Sequence, residues 1–346
     1  MITSRFRSLL RRTPERYSGS PERYSASPET YSASRERYSG RNEAHSGGHE
    51  AYSGAPDRIL QRLDWTVIRR LEGMLQGDYR SLFYGQGVDL ADLREYQPGD
   101  DVRYIDWNVT ARMNAPYIRQ YVQDREITAW FLLDLTPSMD YGTTGSLKRG
   151  VLVDFAGTMA RLLTRHGGRV GGIFFGSRVE RIIPPSGGRN QVLRLVNDLL
   201  KQPAMPRAPL TDLAPMLTGA AHAMKKRSLL FIVSDFISVP GWERPLGLLT
   251  SRHEVIATRL WDPREVELPD AGPILVEDAE TGEQIYVDTH DAQFRRRFRE
   301  AARRREAALN DTFKRAGVDV LSLSTEEDMV RAIVRFATLR RRRRRV

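Results

Sequence analysis

Three oxygen-bearing side chains stand at alternate positions where an apolar stretch of the sequence ends. The stretch 130–133 is a run of large apolar residues, and Asp134, Thr136 and Ser138 follow it. One carboxylate and two hydroxyls at the carboxyl end of a buried strand suit Mg2+, which takes oxygen ligands and keeps some water. Open α/β sheets bind ligands at that edge. The same residue types also fill ordinary strand-ending turns, so the motif alone leaves a metal site and a plain turn open.

Two later positions extend this motif. Thr211 opens a helical pattern, and Asp235 ends a second apolar stretch, 228–234. We expect a hydroxyl at a helix start and a carboxylate at a neighbouring strand end to complete a ring of oxygens begun by Asp134. This order of residues resembles the metal-ion-dependent adhesion site of von Willebrand factor type A domains. The first motif of that family reads D-x-S-x-S, and Thr136 departs from it while keeping the hydroxyl.

The resemblance implies a metal-dependent binding site. The implied metal ligands are Asp134, Thr136, Ser138, Thr211 and Asp235. The implied metal is Mg2+, with Mn2+ or Ca2+ as alternatives. Domains of this kind bind protein partners by leaving one coordination position open for an acidic side chain of the partner, and they are not usually enzymes.

The composition favours a soluble chain. The 346 residues include 54 Lys and Arg against 44 Asp and Glu, and the mean hydropathy is −0.48. No apolar stretch approaches the roughly 20 residues that span a bilayer, and the N-terminus lacks the apolar core of a signal peptide. We therefore expect no transmembrane segment and a cytoplasmic location. The absence of cysteine excludes disulfides, zinc-thiolate sites and thiol catalysis.

The net charge of +10 is carried unevenly. Arg340 to Arg345 form an unbroken run, and a second basic block covers about 294–306. Such runs suit an anionic partner such as nucleic acid, an acidic protein face or anionic lipid. A solvated tail is the alternative, and no aromatic side chains alternate with the terminal arginines to stack on bases.

The first 56 residues differ in composition from the rest. Between 14 and 55 a seven-residue unit recurs, with Tyr or His at every seventh position. Each unit has one aromatic residue and no second apolar position, which excludes a coiled-coil seam and predicts a disordered arm over 1–56. The arm either carries Tyr-Ser phosphorylation or docking sites or acts as a spacer.

The region 57–126 combines an amphipathic helix with a segment rich in both signs of charge. Apolar residues recur at helical spacing from Asp57 to Gly77. In the following segment we expect an ion-pair and hydrogen-bond network on a small β-rich element rather than an acid–base site, because no nucleophile is near. The predicted members of this network are Arg94, Glu95, Asp100, Asp101, Arg103, Asp106, Trp107 and Arg112.

The stretch from Leu93 to Arg112 reads L-R-E-Y-Q-P-G-D-D-V-R-x-I-D-W-N-x-T-A-R. It resembles the signature of the bacterial family called domain of unknown function 58, which precedes a von Willebrand-type domain in members of that family. The resemblance covers about Leu60 to the end of the chain. It implies a role beside a MoxR-type AAA+ ATPase in the assembly or maturation of other proteins.

The remaining pattern predicts the fold. Strand patterns that alternate with helical patterns over 127–338 predict a doubly wound, mostly parallel α/β sheet of the von Willebrand factor type A kind. A hairpin predicted at about 272–289 interrupts the alternation, and we expect it to be added at an edge of the sheet. Residues 339–346 read as a basic tail.

These observations favour a non-enzymatic adaptor that links a MoxR-type AAA+ ATPase to an unknown protein client. Common catalytic and nucleotide-binding motifs are missing from the sequence, and its six histidines are scattered. A second form of the adaptor holds its partner through the basic helix and the arginine run. The alternative is a nucleic-acid-binding protein that uses the basic C-terminal region. A metal-dependent hydrolase is the third hypothesis, and it needs a water-activating base that the sequence does not supply.

Overall fold

The computed structural model describes residues 56–75, 92–113, 115–120, 127–143, 145–205 and 210–344. The predicted repeat arm lies outside the described residues except for Pro56. Arg345, the last arginine of the C-terminal run, also lies outside them.

The described residues contain ten strands. These are β1 Asp92–Glu95, β2 Tyr117–Gln120, β3 Thr128–Asp134, β4 Arg169–Phe175, β5 Val179–Ser186, β6 Leu229–Ser234, β7 Glu254–Trp261, β8 Pro273–Glu277, β9 Gln284–Asp288 and β10 Asp319–Ser324. Six of them form a central sheet in the order β10-β7-β6-β3-β4-β5. Its neighbours are parallel except for β5, which is antiparallel to β4. The predicted doubly wound, mostly parallel sheet is therefore confirmed.

The described residues contain nine α-helices, most of which pack on the two faces of this sheet. They are α1 Pro56–Leu63, α2 Arg69–Leu75, α3 Trp107–Met113, α4 Lys148–Arg165, α5 Gly188–Leu200, α6 Ala214–Ala223, α7 Glu243–Thr250, α8 Ala292–Ala316 and α9 Met329–Arg344. A single π-helical segment, Asp64–Ile68, joins α1 to α2, so the amphipathic segment predicted from Asp57 is one continuous helical stretch.

The central strand β3 explains why helices cover both faces. Its residues alternate between two apolar clusters, with Phe131 in the cluster under α1, α4, α5 and α9. Leu132 belongs to the cluster under α6, α7 and α8. Both side chains are fully buried. A strand that is apolar on both faces is stable only when both faces are covered, as in parallel sheets with helical crossovers.

Two small sheets lie outside the central one. β1 and β2 form an antiparallel pair in the region of the predicted signature. β8 and β9 form the predicted hairpin, but they pair only with each other. The expected edge addition is wrong, because β10 and β5 occupy the two edges of the central sheet.

The long helix α8 follows the hairpin directly. It begins after Asp291, whose side chain accepts a hydrogen bond from the Gln293 N–H, and ends at Gly317 in the left-handed conformation. Its Phe313 is buried against the central sheet, and its Phe294 packs with the hairpin. Across the described ranges, no helix has both the length and the apolar composition that a bilayer-spanning segment requires.

Candidate functional site

The candidate site lies where the winding of the sheet changes direction. The chain runs from β3 to β4 on one side and returns to β6 on the other. The register pairs Leu133 with Val233, so Asp134 and Ser234 are at adjacent strand ends. Parallel strands leave a crevice at their carboxyl ends at such a switch point. Topology therefore brings together residues 100 positions apart.

Asp134 is the centre of a fully buried hydrogen-bond cluster. Its Oδ1 accepts from the Thr136 N–H at 3.1 Å and from the Thr136 hydroxyl at 2.7 Å. Its Oδ2 accepts from the Ser234 hydroxyl at 2.6 Å. Burial, together with the nearby charge of Asp235, raises the pKa of Asp134 to about 6. The donors are neutral, so they stabilise the carboxylate without cancelling its charge.

Ser138 connects Asp134 to Asp235. A short 3-10 helix, Pro137–Asp140, starts directly after Thr136 and turns Ser138 back towards it. The Thr136 and Ser138 hydroxyl oxygens are 3.2 Å apart. The Ser138 side chain is also near enough to Asp235 to help lower the pKa of that carboxyl. Four of the five predicted ligands thus form one contiguous network.

A buried lysine is part of this network. The Nζ atom of Lys148, the first residue of α4, donates to Asp235 Oδ2 at 2.7 Å and to Glu265 Oε1 at 2.7 Å. The Lys148 and Asp235 side chains are each 1% exposed. Burial alone would lower the pKa of Lys148, but the two carboxylates raise it above its usual value. Burial alone would raise the pKa of Asp235, but Lys148 holds it below its usual range.

The residue after Asp235 has an uncommon backbone conformation. Phe236 has a φ of 56°, in the left-handed region that large side chains rarely adopt. Its ring packs on Trp242 and Phe313 with centroid distances of 5.8 and 4.9 Å, and its N–H donates to Ser234 Oγ at 2.9 Å. The turn also lets the Ile237 N–H donate to Asp235 Oδ1 at 2.9 Å. Aromatic packing thus maintains the strain that directs Asp235 towards the site.

Thr211, the fifth predicted ligand, has a different partner. Its N–H donates to Glu280 Oε2 at 2.9 Å, and its hydroxyl donates to Glu280 Oε1. The helix α6 begins at Ala214, so Thr211 lies in the preceding loop and not at a helix start. The prediction that Thr211 opens the helix is therefore wrong. Asp212, not Thr211, accepts a hydrogen bond from the Ala214 N–H at the first turn. Glu280 and Ser138 border the same cavity, which connects Thr211 with the rest of the site.

Sequence reasoning missed four residues of this site. They are Lys148, Ser234, Glu265 and Glu280. Ser234 could have been found, because it directly precedes Asp235 at a strand end. Lys148 stands at the start of an apolar helix, where a charged residue is usually exposed. Glu265 and Glu280 belong to polar loops whose positions depend on the tertiary structure.

The donor atoms near Asp134 fit a hard cation in part. Adjacent ligands of an octahedral Mg2+ are about 3 Å apart, which matches the 3.2 Å between the Thr136 and Ser138 hydroxyls. Asp134 adds a carboxylate to this pair. Asp235 is paired with Lys148 and Thr211 with Glu280, so neither side chain is free to bind a cation beside Asp134 in this arrangement. Within the described ranges, no cluster of three or more His, Cys, Asp or Glu side chains is arranged to hold a metal.

The predicted signature network separates into local contacts. Arg94 donates to both carboxylate oxygens of Asp100, at 2.8 and 2.6 Å. Arg103 donates to Asp101 at 2.6 Å, and this hydrogen bond contributes most to lowering the pKa of Asp101 to about 2. Asp106 accepts from the Asn108 N–H at 3.0 Å at the start of α3.

The other predicted members of that network are Trp107, Arg112 and Glu95. Trp107 is 70% exposed, and Arg112 is also exposed. Glu95 uses its backbone carbonyl, which accepts from Arg94. The charge-rich segment is therefore a set of surface ion pairs on a small β element.

The arginine run near the C-terminus is helical. α9 extends to Arg344, so residues 339–344 continue the helix instead of forming a separate tail. Arg340 is 2% exposed, and it donates to Asp319 at 2.7 Å and to Glu254. It therefore anchors α9 to the β10 edge of the sheet. Residues 341–343 are exposed.

Comparisons with known proteins give close relatives and distant structural neighbours. The family model described as "Protein of unknown function DUF58" matches residues 92–308. "Uncharacterized protein Mb1516" of Mycobacterium bovis and "Uncharacterized protein Rv1480" of Mycobacterium tuberculosis are each 36% identical over 283 residues, which cover 82% of this chain and 89% of the relative.

The solved structures are much less similar. BatB from Bacteroides thetaiotaomicron has a TM-score of 0.39 and 11% identity, over 62% of this chain and 99% of that chain. The SpRpn10 VWA domain has a TM-score of 0.34 and 11% identity, over 61% of this chain and 94% of that chain. These similarities are too weak to assign a role to any residue. The family match over residues 92–308 and the alignments over 82% of the chain show that this protein belongs to the DUF58 family.

Proposed function

We propose that this protein is a non-enzymatic adaptor that binds a protein partner at the cluster around Asp134, with a divalent cation as part of the binding site. The cation is Mg2+, with Mn2+ or Ca2+ as alternatives. Asp134, Thr136 and Ser138 bind it directly. Asp235 and Thr211 join the coordination shell, directly or through water, once Lys148 and Glu280 release them.

The excess of buried negative charge carries this proposal. The side chains of Asp134, Asp235, Glu265 and Glu280 are all buried, and one buried ammonium group, that of Lys148, lies among them. Buried carboxylates are stable when they are paired with a cation, bound to a metal or protonated. Burial, and after it the charge of Asp235, raises the pKa of Asp134. A divalent cation neutralises the excess negative charge and lowers that pKa.

The cation supplies an electrophilic position for a partner's carboxylate when it is bound. The protein supplies the orientation, because Thr136 and Ser234 fix both oxygens of Asp134. The Thr136 and Ser234 hydroxyls donate to Asp134 and are held by it, which suits binding better than hydrolysis. Lys148 is unsuited to act as a base, because its pKa is raised and its ammonium is held by two carboxylates.

The partners we propose are a MoxR-type AAA+ ATPase and a client protein whose assembly or maturation the ATPase drives. Support for this pairing comes from the DUF58 membership and from the resemblance of the 93–112 signature. We further propose that the protein acts in the cytoplasm, where an AAA+ ATPase has access to ATP.

Calorimetric titration of Mg2+ into the full chain tests the metal. We expect saturable binding that is lost in Asp134→Ala and retained in the control Asp140→Ala, a carboxylate near the site that pairs with Arg149. Affinity purification from the native cell, with and without chelator, then tests the partner. Partner binding that survives both the chelator and Asp134→Ala would contradict the proposal.

The nucleic-acid alternative makes a different prediction. Binding through the exposed arginines at 341–343 would weaken steeply with salt and show little sequence preference. Arg340 contributes nothing to such binding because it is buried and paired. We expect replacement of residues 341–343 by Gln to leave adaptor binding intact. DNA and RNA binding at two salt concentrations, measured with the same variant, distinguishes the two functions.

A further inference from the structure

A carboxylate of the chain itself already occupies part of the candidate site. Glu280 lies between β8 and β9, is 3% exposed, and accepts hydrogen bonds from both the N–H and the hydroxyl of Thr211. Each carboxylate oxygen has its own donor. The loop before α6 therefore provides two donors that together bind one carboxylate.

The turn of the hairpin fixes Glu280 in this position. Asp278 Oδ1 accepts from the N–H groups of Glu280 and Thr281, at 3.0 and 2.9 Å. Gly282 has a φ of 69°, and its N–H donates to the Asp278 carbonyl at 2.8 Å. This turn stabilises its own shape independently of the central sheet. The hairpin can therefore move as a unit without unfolding its tip.

A cavity of about 370 Å³ separates the hairpin from the main body of the protein. Apolar walls come from Ile274 and Val276 of β8 and from Phe298 of α8. Leu268, in the loop before β8, and Ile237, in the loop after β6, add two more. The cavity reaches the site where Ser138, Glu265 and Glu280 line it. This volume is within the range of about 300–1,000 Å³ that ligand pockets occupy. An apolar side chain could enter it next to the carboxylate position.

The hairpin is held less firmly than the strands of the central sheet. It is a separate two-stranded sheet, and its buried apolar cluster has two members, Val287 and Phe294. Leu275 and Tyr286 are exposed. Two-stranded hairpins are marginally stable alone, and the cavity removes packing contacts beneath this one. Displacement of the hairpin therefore costs less than displacement of any central strand.

The cavity wall also offers a cationic group. Arg264 lines the cavity, and its guanidinium has no ion-pair partner among the described residues. Lys148 already neutralises much of the charge of Glu265 on the same side. A second acidic group on a bound segment can pair with Arg264.

We propose that Thr211 and the cavity under the hairpin bind a partner segment with a carboxylate next to a large apolar side chain, and that Glu280 holds the carboxylate position until such a segment displaces it. This inference rests on the proposed binding function and specifies the chemistry of the partner. The hydrogen bonds to Glu280 show that the N–H and hydroxyl of Thr211 can donate together to one carboxylate. The cavity specifies the apolar neighbour of that group.

Binding of a hairpin peptide in trans tests this proposal. The probe is a fluorescently labelled synthetic peptide with the sequence of residues 273–288, and the readout is fluorescence anisotropy with the full chain. An internal competitor reduces the apparent affinity in proportion to its occupancy, so we expect Glu280→Ala to bind the probe on the order of tenfold more tightly than the unchanged chain. The matched control, Glu277→Ala, removes another hairpin carboxylate, bonded to Gln284, and should bind like the unchanged chain.

Further variants test whether tight binding needs the Thr211 donors or follows only from a general loosening of the hairpin. Adding Thr211→Val to Glu280→Ala should abolish tight binding, and Thr211→Ser should retain it because the hydroxyl remains. A probe with Gln in place of Glu280 should bind at least tenfold more weakly than the original. Glu280→Gln, which keeps the side-chain size, replaces Glu280→Ala if thermal melting shows that the latter is unfolded.

The inference is overturned by equal affinity of Glu280→Ala and the unchanged chain, by equal affinity of the two probes, or by binding that is independent of Thr211. Addition of chelator tests whether binding of the probe also depends on a metal ion. Binding that persists in chelator and still needs Thr211 supports the carboxylate position without a metal. Absence of probe binding in every variant, while Mg2+ binding still needs Asp134, overturns this inference and leaves the proposed function intact.

Discussion

The site at the ends of β3 and β6 and the signature region 92–120 both contain many charges, but they use them in opposite ways. In the site, the Lys148 and Asp235 side chains are each 1% exposed and are 2.7 Å apart. In the signature region, Arg103 is 83% exposed in its pair with Asp101. The two salt bridges are of similar length, but the first is shielded from solvent and the second is not.

This difference shows that the density of charge in the sequence does not locate the energetically important charges. Water screens the exposed pairs, which contribute little to stability. Buried charges depend on each other, because removal of one leaves the others without compensation. The signature region carries both signs of charge within one short stretch, while the site draws Lys148, Asp235 and Glu265 from three distant segments.

Lys148→Met gives the largest expected effect. We expect the free energy of unfolding to fall by about 3–5 kcal/mol, because two buried carboxylates lose their cation. Urea unfolding followed by tryptophan fluorescence measures it, with the exposed Lys201→Met as control. Adding Asp235→Asn and Glu265→Gln should restore part of the loss. Equal midpoints for Lys148→Met and Lys201→Met would contradict the assigned role of the buried pair.

Arg340→Ala extends the comparison to the arginine run. We expect a loss of about 2 kcal/mol, less than for Lys148 because water partly screens the partners of Arg340. Those partners, Glu254 and Asp319, have side chains 18% and 28% exposed. Arg342→Ala, two residues further along α9 and exposed, should leave stability unchanged. Thermal melting of both variants measures the difference. Equal melting temperatures would show that the ion pairs of Arg340 do not stabilise the fold.

Asp134→Asn should change the pH dependence of stability. Between pH 3.8 and about pH 6 the folded chain keeps a proton on Asp134 that the unfolded chain has lost. Stability therefore falls as the pH rises through this window and stays lower above it. The Asn variant lacks this decline, so its stability relative to the unchanged chain should increase with pH. Urea midpoints measured across the window in chelator test it, and parallel curves would show that the pKa of Asp134 is not raised.

Mg2+ should shift this window in the unchanged chain. A bound cation favours the ionised carboxylate, so the decline should move to lower pH when Mg2+ replaces the chelator. The Asn variant should show no such shift.

Arg103→Ala gives the smallest expected effect. The pair with Asp101 is largely in solvent, so we expect no measurable change in the urea midpoint. A loss comparable to that of Arg340→Ala would show that the signature ion pairs support the fold and would remove the contrast with the buried site.

The sequence alone predicted much of the fold, because its signals are local. Two-sided apolar runs such as 130–133 indicate strands buried on both faces, and apolar residues at helical spacing from Asp57 predicted the helical stretch that contains α1 and α2. The sequence also identified Asp134 and Asp235 as candidate site residues, since each carboxylate directly follows an apolar run of the sequence. These features depend on residues near each other in the chain.

Tertiary structure decided which charges meet. Lys148 reaches Asp235 across 87 positions, and Glu280 reaches Thr211 across 69. No local pattern encodes such pairs, because they depend on strand order, on the turn of the hairpin and on the burial that makes an unpaired charge costly. The sequence by itself determined the kind of sheet and the oxygen-bearing residues at its edge. The packed chain determined that a lysine and a hairpin carboxylate contact them, since long-range electrostatics and burial exist only once the sheet has formed.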